Sequence, residues 1–434
     1  MKQIITTLFT LSLASTSVIA ATQAPSLAGP KVNNSVFHSN AISSVTAVTE
    51  VFGRSQNITA AIVKFSSIID AEKIKTTNFI VDDRKILAVK VAASPDIHAV
   101  SGNGNYVILS LDPADKASVI YAPDTDVAAQ IVVHQQNAIP LANGTMLPAD
   151  GKAVINTQVK NLIVDDFQQF RFHDPKTDLT LDYNLYIPKD YSSNKSKYPL
   201  VLFMHDAGVT GSNPRRTLEQ GLGAVSFASE QDQAKHPAFV LAPQFPVAIA
   251  NDDFQTSVYV DMIPRLLKQL ESKYRVDSDR LYATGQSGGC MTSIALNVTY
   301  PTLFAGTLCV AGQWDPKAVA PMAHNNFWAM ISEDDSKAYP GTTAIMETLK
   351  QQGEIVTRGS WSATTSQAEQ DAAVTKIRNA AGNSHLFFTT FTAGSVLTGE
   401  AGANRGAGHV NTWRYAYAIP ALRDWLLEQR KPHK

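Results

Sequence analysis

The chain has 434 residues, enough for two domains at roughly 100–200 residues each and for a sizeable buried core. Charged residues make up 17% and hydrophobic ones 44%, which excludes a disordered chain. Lys and Arg number 37 against 38 Asp and Glu, a net charge of −1, so there is no global basic field for nucleic acid or an anionic lipid surface. Two cysteines exclude a disulfide framework and a multi-cysteine zinc site.

Met1-Lys2, a mostly apolar run over 4–13 and the short side chains of Val18-Ile19-Ala20 have the layout of a secretory signal cut after Ala20. The apolar run is shorter than the ~20 residues of a membrane span, and no cysteine near the cut invites a lipid anchor. An exported protein is expected, periplasmic or secreted, in an oxidising compartment. The expected organisation is a signal peptide over 1–20, a flexible Ser/Ala/Pro/Asn-rich leader over 21–40, an all-β module over 41–159 and an α/β domain over 160–434.

Between 44 and 159, short strand-like runs at 45–51, 59–65, 86–91, 106–111, 119–121 and 130–134 alternate with turn residues such as Asp82-Asp83-Arg84 and Gly102-Asn103-Gly104-Asn105. No helical period interrupts them, and the pattern is that of an immunoglobulin-like β-sandwich. His38, His98 and His134 stand apart from one another, so a structural module is expected here before a carbohydrate-binding one. Self-association through this sandwich is one partner it could serve.

From 161 the rhythm changes. Strands are predicted at 179–187, 198–204, 238–242, 281–284, 307–311, 327–331 and 386–391. Helices are predicted at 258–274, 291–298, 345–351 and 413–428. The run 198–204 is almost continuously apolar, as a strand buried on both faces must be. Alternating strands and helices predict a mostly parallel sheet covered on both faces. No internal repeat is present.

Gly285-Gln286-Ser287-Gly288-Gly289 fits G-x-S-x-G, with a strand running in and an apolar helix running out. That is the setting of a nucleophile elbow: the tight turn leaves no room for side chains beside the serine and holds its hydroxyl at the edge of the sheet. A base is then needed downstream. His433 lies in the tail, His385 precedes a strand and His324 comes before the strand that should supply the acid. His409, in Gly406-Ala407-Gly408-His409, sits in a glycine-rich loop between the last strand and the last helix. The acid should follow the strand 327–331, where Glu333-Asp334-Asp335 stand in a row and spacing does not choose among them. Two backbone donors are needed for an oxyanion: Gly288, after the serine, and Ala207, in the loop His205-Asp206-Ala207-Gly208.

These segments resemble the α/β-hydrolase superfamily. More narrowly, the chain is similar to exported esterases and predicted peptidases that join an immunoglobulin-like domain to a polyhydroxybutyrate-depolymerase-like catalytic domain. The likeness rests on Phe203-Met204-His205-Asp206-Ala207-Gly208, on 285–289, on 332–341 and on Gly408-His409-Val410-Asn411-Thr412-Trp413, with 45–111 resembling the family's first domain. The family's Glu-Gly-Asp-x-Lys-Ala-Tyr-Pro pattern falls on Glu333 to Pro340 and implies Asp335 as the acid, with Asp334 in a glycine's place. Asp206 also replaces a glycine, beside the oxyanion loop, where an inward carboxylate would oppose the developing charge.

Cys290 and Cys309 could be bonded or remain buried thiols. Trp314 could line the substrate pocket or simply pack, and Trp413 and Trp425 are packing residues. No metal or cofactor is called for. The expected activity is cleavage of a small-molecule or polymeric carboxylic ester, of short acyl or aryl type, by Ser287, His409 and Asp335 through an acyl-enzyme. No long helical lid points to long-chain lipids. A serine peptidase or a polyester or feruloyl esterase is the alternative. A non-catalytic surface or carbohydrate-binding protein is the reading of another class, with Asp206 the residue in its favour.

Overall fold

The computed structural model describes residues 41–398 and 406–432; the expected signal peptide and leader lie outside the described residues. In the N-terminal module one sheet runs in the order Gln158–Asn161, Ile42–Val51, Gln56–Ile69, Gly104–Leu111, Ile86–Ala92. A three-stranded sheet, Ala153–Ile155, Val132–Gln135 and Phe79–Val81, shares its core. Val45, Ala47, Ala61, Val63, Val107 and Leu109 meet Phe79, Val81, Val133 and Val154 between the two, the alternate-residue burial that a sandwich demands. Gln158–Asn161 pairs in parallel with Ile42–Val51, so this strand spans the expected 159/160 boundary and ties the linker to the first sheet.

The C-terminal part is built on a nine-stranded sheet ordered Gln168–Asp174, Leu179–Tyr186, Phe239–Gln244, Tyr198–Met204, Val276–Gln286, Gly306–Val310, Phe327–Ser332, Leu386–Phe391, Val356–Trp361. Leu179–Tyr186 pairs antiparallel with both of its neighbours, and the remaining pairings, from Phe239–Gln244 with Tyr198–Met204 onward, are parallel. Tyr198–Met204 shows why a continuous apolar run was needed. Val201 and Phe203 enter the core under the terminal helix, while Leu200, Leu202 and Met204 enter the core under helix Val258–Lys273. No helix among the described residues is long and apolar enough to cross a membrane.

Three of the elements that were not predicted belong to this sheet and the helices that cover it. Gln168–Asp174 and Val356–Trp361 are the two edge strands of the sheet, and helix Gln367–Ala380 buries only Gln370 and Val374. Each has too few apolar residues to stand out. The single closing helix expected over 413–428 is instead broken: Thr412–Ala416 is followed by Pro420–Glu428. Pro420 lacks the N–H an unbroken helix would use and starts a new one at its first position.

Cys290, on the helix after the serine, is disulfide-bonded to Cys309 on the neighbouring strand, with Cα atoms 4.8 Å apart. Closing a loop of this size restricts the unfolded chain by about 3 kcal/mol. Cys290→Ala/Cys309→Ala should therefore lower the unfolding free energy in guanidinium by about 2–4 kcal/mol, with the folded circular dichroism spectrum unchanged.

Candidate active site

Strand Val276–Gln286 ends and helix Gly288–Thr299 begins on either side of Ser287, whose φ of 52° and ψ of −118° lie outside the regions a non-glycine residue prefers. The turn is held by the Ser287 N–H donating to the Val310 carbonyl at 3.0 Å. Its glycines answer to close backbone approach. A Cβ on Gly289 would stand 1.9 Å from the Met204 carbonyl oxygen, and one on Gly285 would stand 2.5 Å from the Gly289 carbonyl carbon. Gly288 is different, for a Cβ there would find nothing closer than the Ala207 nitrogen at 3.9 Å.

His409 lies in a one-turn helix, Ala407–Val410, rather than in an open loop. Its Nε2 is 2.8 Å from the Ser287 hydroxyl and its Nδ1 2.5 Å from Asp335 Oδ2. Trp413 meets the imidazole edge-on at 5.2 Å, so this side chain steadies the ring besides packing. Gly408 is required where it stands, since a Cβ would lie 2.5 Å from the Asp334 carbonyl oxygen.

The three carboxylates in a row point to different places. Glu333 accepts from Thr390, Ser360 and the Ala393 N–H, and Asp334 accepts from the Gly394 N–H at 2.7 Å. Both fasten the segment after strand Leu386–Phe391. Asp335 alone reaches His409. Its other oxygen accepts from the Lys337 and Ala338 N–H groups at 3.1 and 2.9 Å, where helix Ala338–Gln351 begins. Burial alone would push its pKa up. The hydrogen bond and charge of His409 and the two backbone donors outweigh that and hold it below the ordinary carboxylate value. Asp335 is thus a buried anion against the imidazole at neutral pH.

Ala207 and Gly288 are brought near one another: a Cβ added to Gly288 would lie 3.9 Å from the Ala207 nitrogen. Asp206 caps the short turn Ala207–Val209. Its Oδ1 accepts from the Gly208 N–H at 2.7 Å and its Oδ2 from Gln286 Nε2 at 2.8 Å. The carboxylate is committed to holding the loop in shape. The wholly buried His205 supports it from beneath: its Nε2 accepts from the Phe245 N–H at 3.0 Å, so Nδ1 carries the proton and donates to the Asp206 carbonyl at 2.7 Å. Burial depresses the His205 pKa, which keeps that neutral tautomer in place. Sequence reasoning assigned no role to His205 or Gln286. The first stands in the quoted motif, whereas the second occupies the variable position of G-x-S-x-G and gave no signal.

Trp314 is buried among Cys290, Met291, Val319 and Met322 and packs edge-to-face on Phe254 at 5.7 Å. The N-terminal module also reaches this end of the sheet. Arg54 donates to Asn411, two residues beyond His409, at 3.5 Å. A 560 Å³ cleft beside the loop that follows Met204 is lined by Tyr121, Asp124 and Asp126 of one module and by Gly208, Asn213 and Arg216 of the other.

Three substitutions separate steric need from chemistry. Gly289→Ala should abolish soluble folded protein, because backbone must move, while Gly288→Ala should fold with a Tm near wild type by calorimetry. Asp206→Ala should fold but lose about tenfold or more in kcat on an ester with little change in KM, the signature of a misplaced donor rather than of lost substrate binding.

Residues 44–148 match the family model described as "Esterase Ig-like N-terminal domain" and residues 176–411 the model described as "Putative esterase". No curated protein matches the sequence. Among solved structures, a thermostable esterase superposes with a TM-score of 0.75 at 25% identity, covering 89% of this chain and 100% of its own. A ferulic acid esterase from Anaeromyces mucronatus is similar at a TM-score of 0.38 and 12% identity, over 59% of this chain and 91% of its own. An S-formylglutathione hydrolase from Staphylococcus aureus follows at 0.35 and 12%, over 60% and 96%. With more than half of its length matched by the second model, the chain belongs to the esterase family: it is a carboxylic ester hydrolase of α/β-hydrolase fold with an immunoglobulin-like N-terminal domain.

Proposed function

We propose that the protein is an exported serine esterase acting on short-chain acyl or aryl esters through Ser287, His409 and Asp335. The observation that carries this reading is the continuous hydrogen-bonded line from Ser287 Oγ through His409 to the buried Asp335, starting at a backbone-strained serine. In the reaction, Ser287 Oγ attacks the ester carbonyl carbon while His409 Nε2 takes its proton. The tetrahedral oxyanion is received by the Gly288 and Ala207 N–H groups. His409 returns the proton to the departing alkoxide, leaving an acyl-Ser287. Water, deprotonated by the same imidazole, then attacks the acyl carbon and releases the carboxylic acid and free serine. Asp335 fixes the Nδ1–H tautomer and stabilises the imidazolium that forms at each step.

The sequence alternatives divide on substrate. Peptide cleavage demands protonation of a poorer leaving group, and polymeric or feruloyl esters demand a longer bound substrate. The reading of another class, a protein without catalysis, rested on an inward Asp206; that carboxylate is instead engaged with Gly208 and Gln286. Export is supported by the signal-like sequence at 1–20 and by a disulfide suited to an oxidising compartment.

Hydrolysis of p-nitrophenyl esters from acetate to palmitate, alongside a feruloyl ester and a peptide anilide, tests the proposal. A short-chain maximum that Ser287→Ala abolishes is expected. Activity on the anilide alone, or ester rates equal in the variant, would overturn it. Asp335→Asn should fold and lose about 10⁴-fold in kcat, as expected where an anion fixes the imidazole tautomer.

A further inference from the structure

His324 and His385 stand at the other end of the sheet from Ser287. His324 precedes strand Phe327–Ser332, Glu354 precedes Val356–Trp361 and His385 precedes Leu386–Phe391. These three strands are neighbours, with Leu386–Phe391 in the middle, so parallel pairing brings their starting points together. Ser287 and Asp335 follow strand ends instead, which places the two clusters about 20 Å apart along a six-residue strand.

One ligand atom from each of the three residues lies within 4.8 Å of the others. Glu354 stands between the rings, with Oε1 3.0 Å from His324 Nδ1 and Oε2 3.1 Å from His385 Nε2. The Ala323 carbonyl oxygen is 2.8 Å from the same His385 nitrogen. The Glu354 side chain is only 12% exposed, and among the described residues its ion-pair partners are these two imidazoles, with neither Lys nor Arg. A four-coordinate zinc with bonds near 2.0–2.2 Å holds its donors roughly 3.4 Å apart, between the 3.0 and 3.1 Å carboxylate–imidazole contacts and the 4.8 Å that bounds the three donors. Two imidazoles and a carboxylate are the donor set that zinc-class ions favour over calcium or magnesium, which prefer all-oxygen cages.

We propose that His324 Nδ1, His385 Nε2 and Glu354 form a binding site for a zinc-class divalent cation, with the Ala323 carbonyl or water completing the shell. Coordination uses the Nε2 lone pair of His385, which then carries its proton on Nδ1 and gives up its contact with the Ala323 oxygen as a donor. The ion clips together three connections at the edge of the sheet away from Ser287. Its effect is on stability, and it supplies nothing to ester cleavage.

The test uses the full-length folded protein freed of metal with a chelator and titrated with ZnCl2 by calorimetry and equilibrium dialysis, with Tm followed in parallel. The expected result is one zinc per chain, a zinc-dependent rise in Tm, no response to CaCl2 or MgCl2, and at least tenfold weaker zinc binding in both His324→Ala and Glu354→Gln. His324 is 88% exposed, so its replacement leaves the core intact and separates lost binding from lost folding. Co2+ in place of zinc should give the visible absorption of a four-coordinate ion in the wild type and lose it in His324→Ala. Absence of stoichiometric zinc binding, or binding that both variants retain, would overturn the site and leave a hydrogen-bonded His–Glu–His cluster.

Discussion

The close approach of the Gly289 backbone to the Met204 carbonyl is the constraint on which the site depends. Strand Tyr198–Met204 and the helix after Ser287 pack with no space for a single methyl group between them. That contact forces the chain to reverse within one residue and obliges Ser287 to adopt a positive φ. It also brings the helix start, with its unpaired N–H groups, against the loop that follows Met204. Ser287, the proposed nucleophile, and Gly288 and Ala207, the proposed oxyanion donors, are therefore positioned by one packing event. The Cys290–Cys309 bond, next along the same helix, fixes it to the adjoining strand.

Around that contact, charge is sorted by backbone donors. A row of three carboxylates would repel if all faced one point. Here two of them secure the segment beyond strand Leu386–Phe391, and only Asp335 turns to the imidazole, with two N–H groups at its other oxygen. The same principle governs Asp206, whose carboxylate is engaged by the Gly208 N–H and by the Gln286 amide beside the proposed oxyanion donors. Both positions that depart from the family's glycine carry a carboxylate with a structural task. Both are compatible with the chemistry for that reason.

The parts of this arrangement legible in the sequence were those written in local pattern. Unbroken apolar runs announced the central strands, and the spacing of 285–289 between strand and helix announced the elbow. His409 emerged by elimination among the downstream histidines. The choice of Asp335 needed the family resemblance, because adjacent carboxylates look alike until folding decides which faces inward. Edge strands and the polar helix Gln367–Ala380 were missed because half or more of each faces solvent and the apolar period is weak. The contact of Gln286 with Asp206 spans 80 positions, and His205 acts through Phe245, 40 positions away. Neither separation leaves a mark on a local window. The break before Pro420 was written in the sequence, but the apolar residues on both sides concealed it.

The central claim, that Ser287 is made nucleophilic by His409 and Asp335, is tested most directly by intact-protein mass after exposure to a p-nitrophenyl phosphonate ester. Attack of Ser287 Oγ on phosphorus expels p-nitrophenolate and leaves one stable phosphonyl group. The account requires a single adduct, mapped by peptide mass to the 285–289 segment, absent in Ser287→Ala and formed far more slowly in His409→Ala. An adduct of equal extent in Ser287→Ala, or wild-type labelling at a rate that His409→Ala does not change, would contradict it.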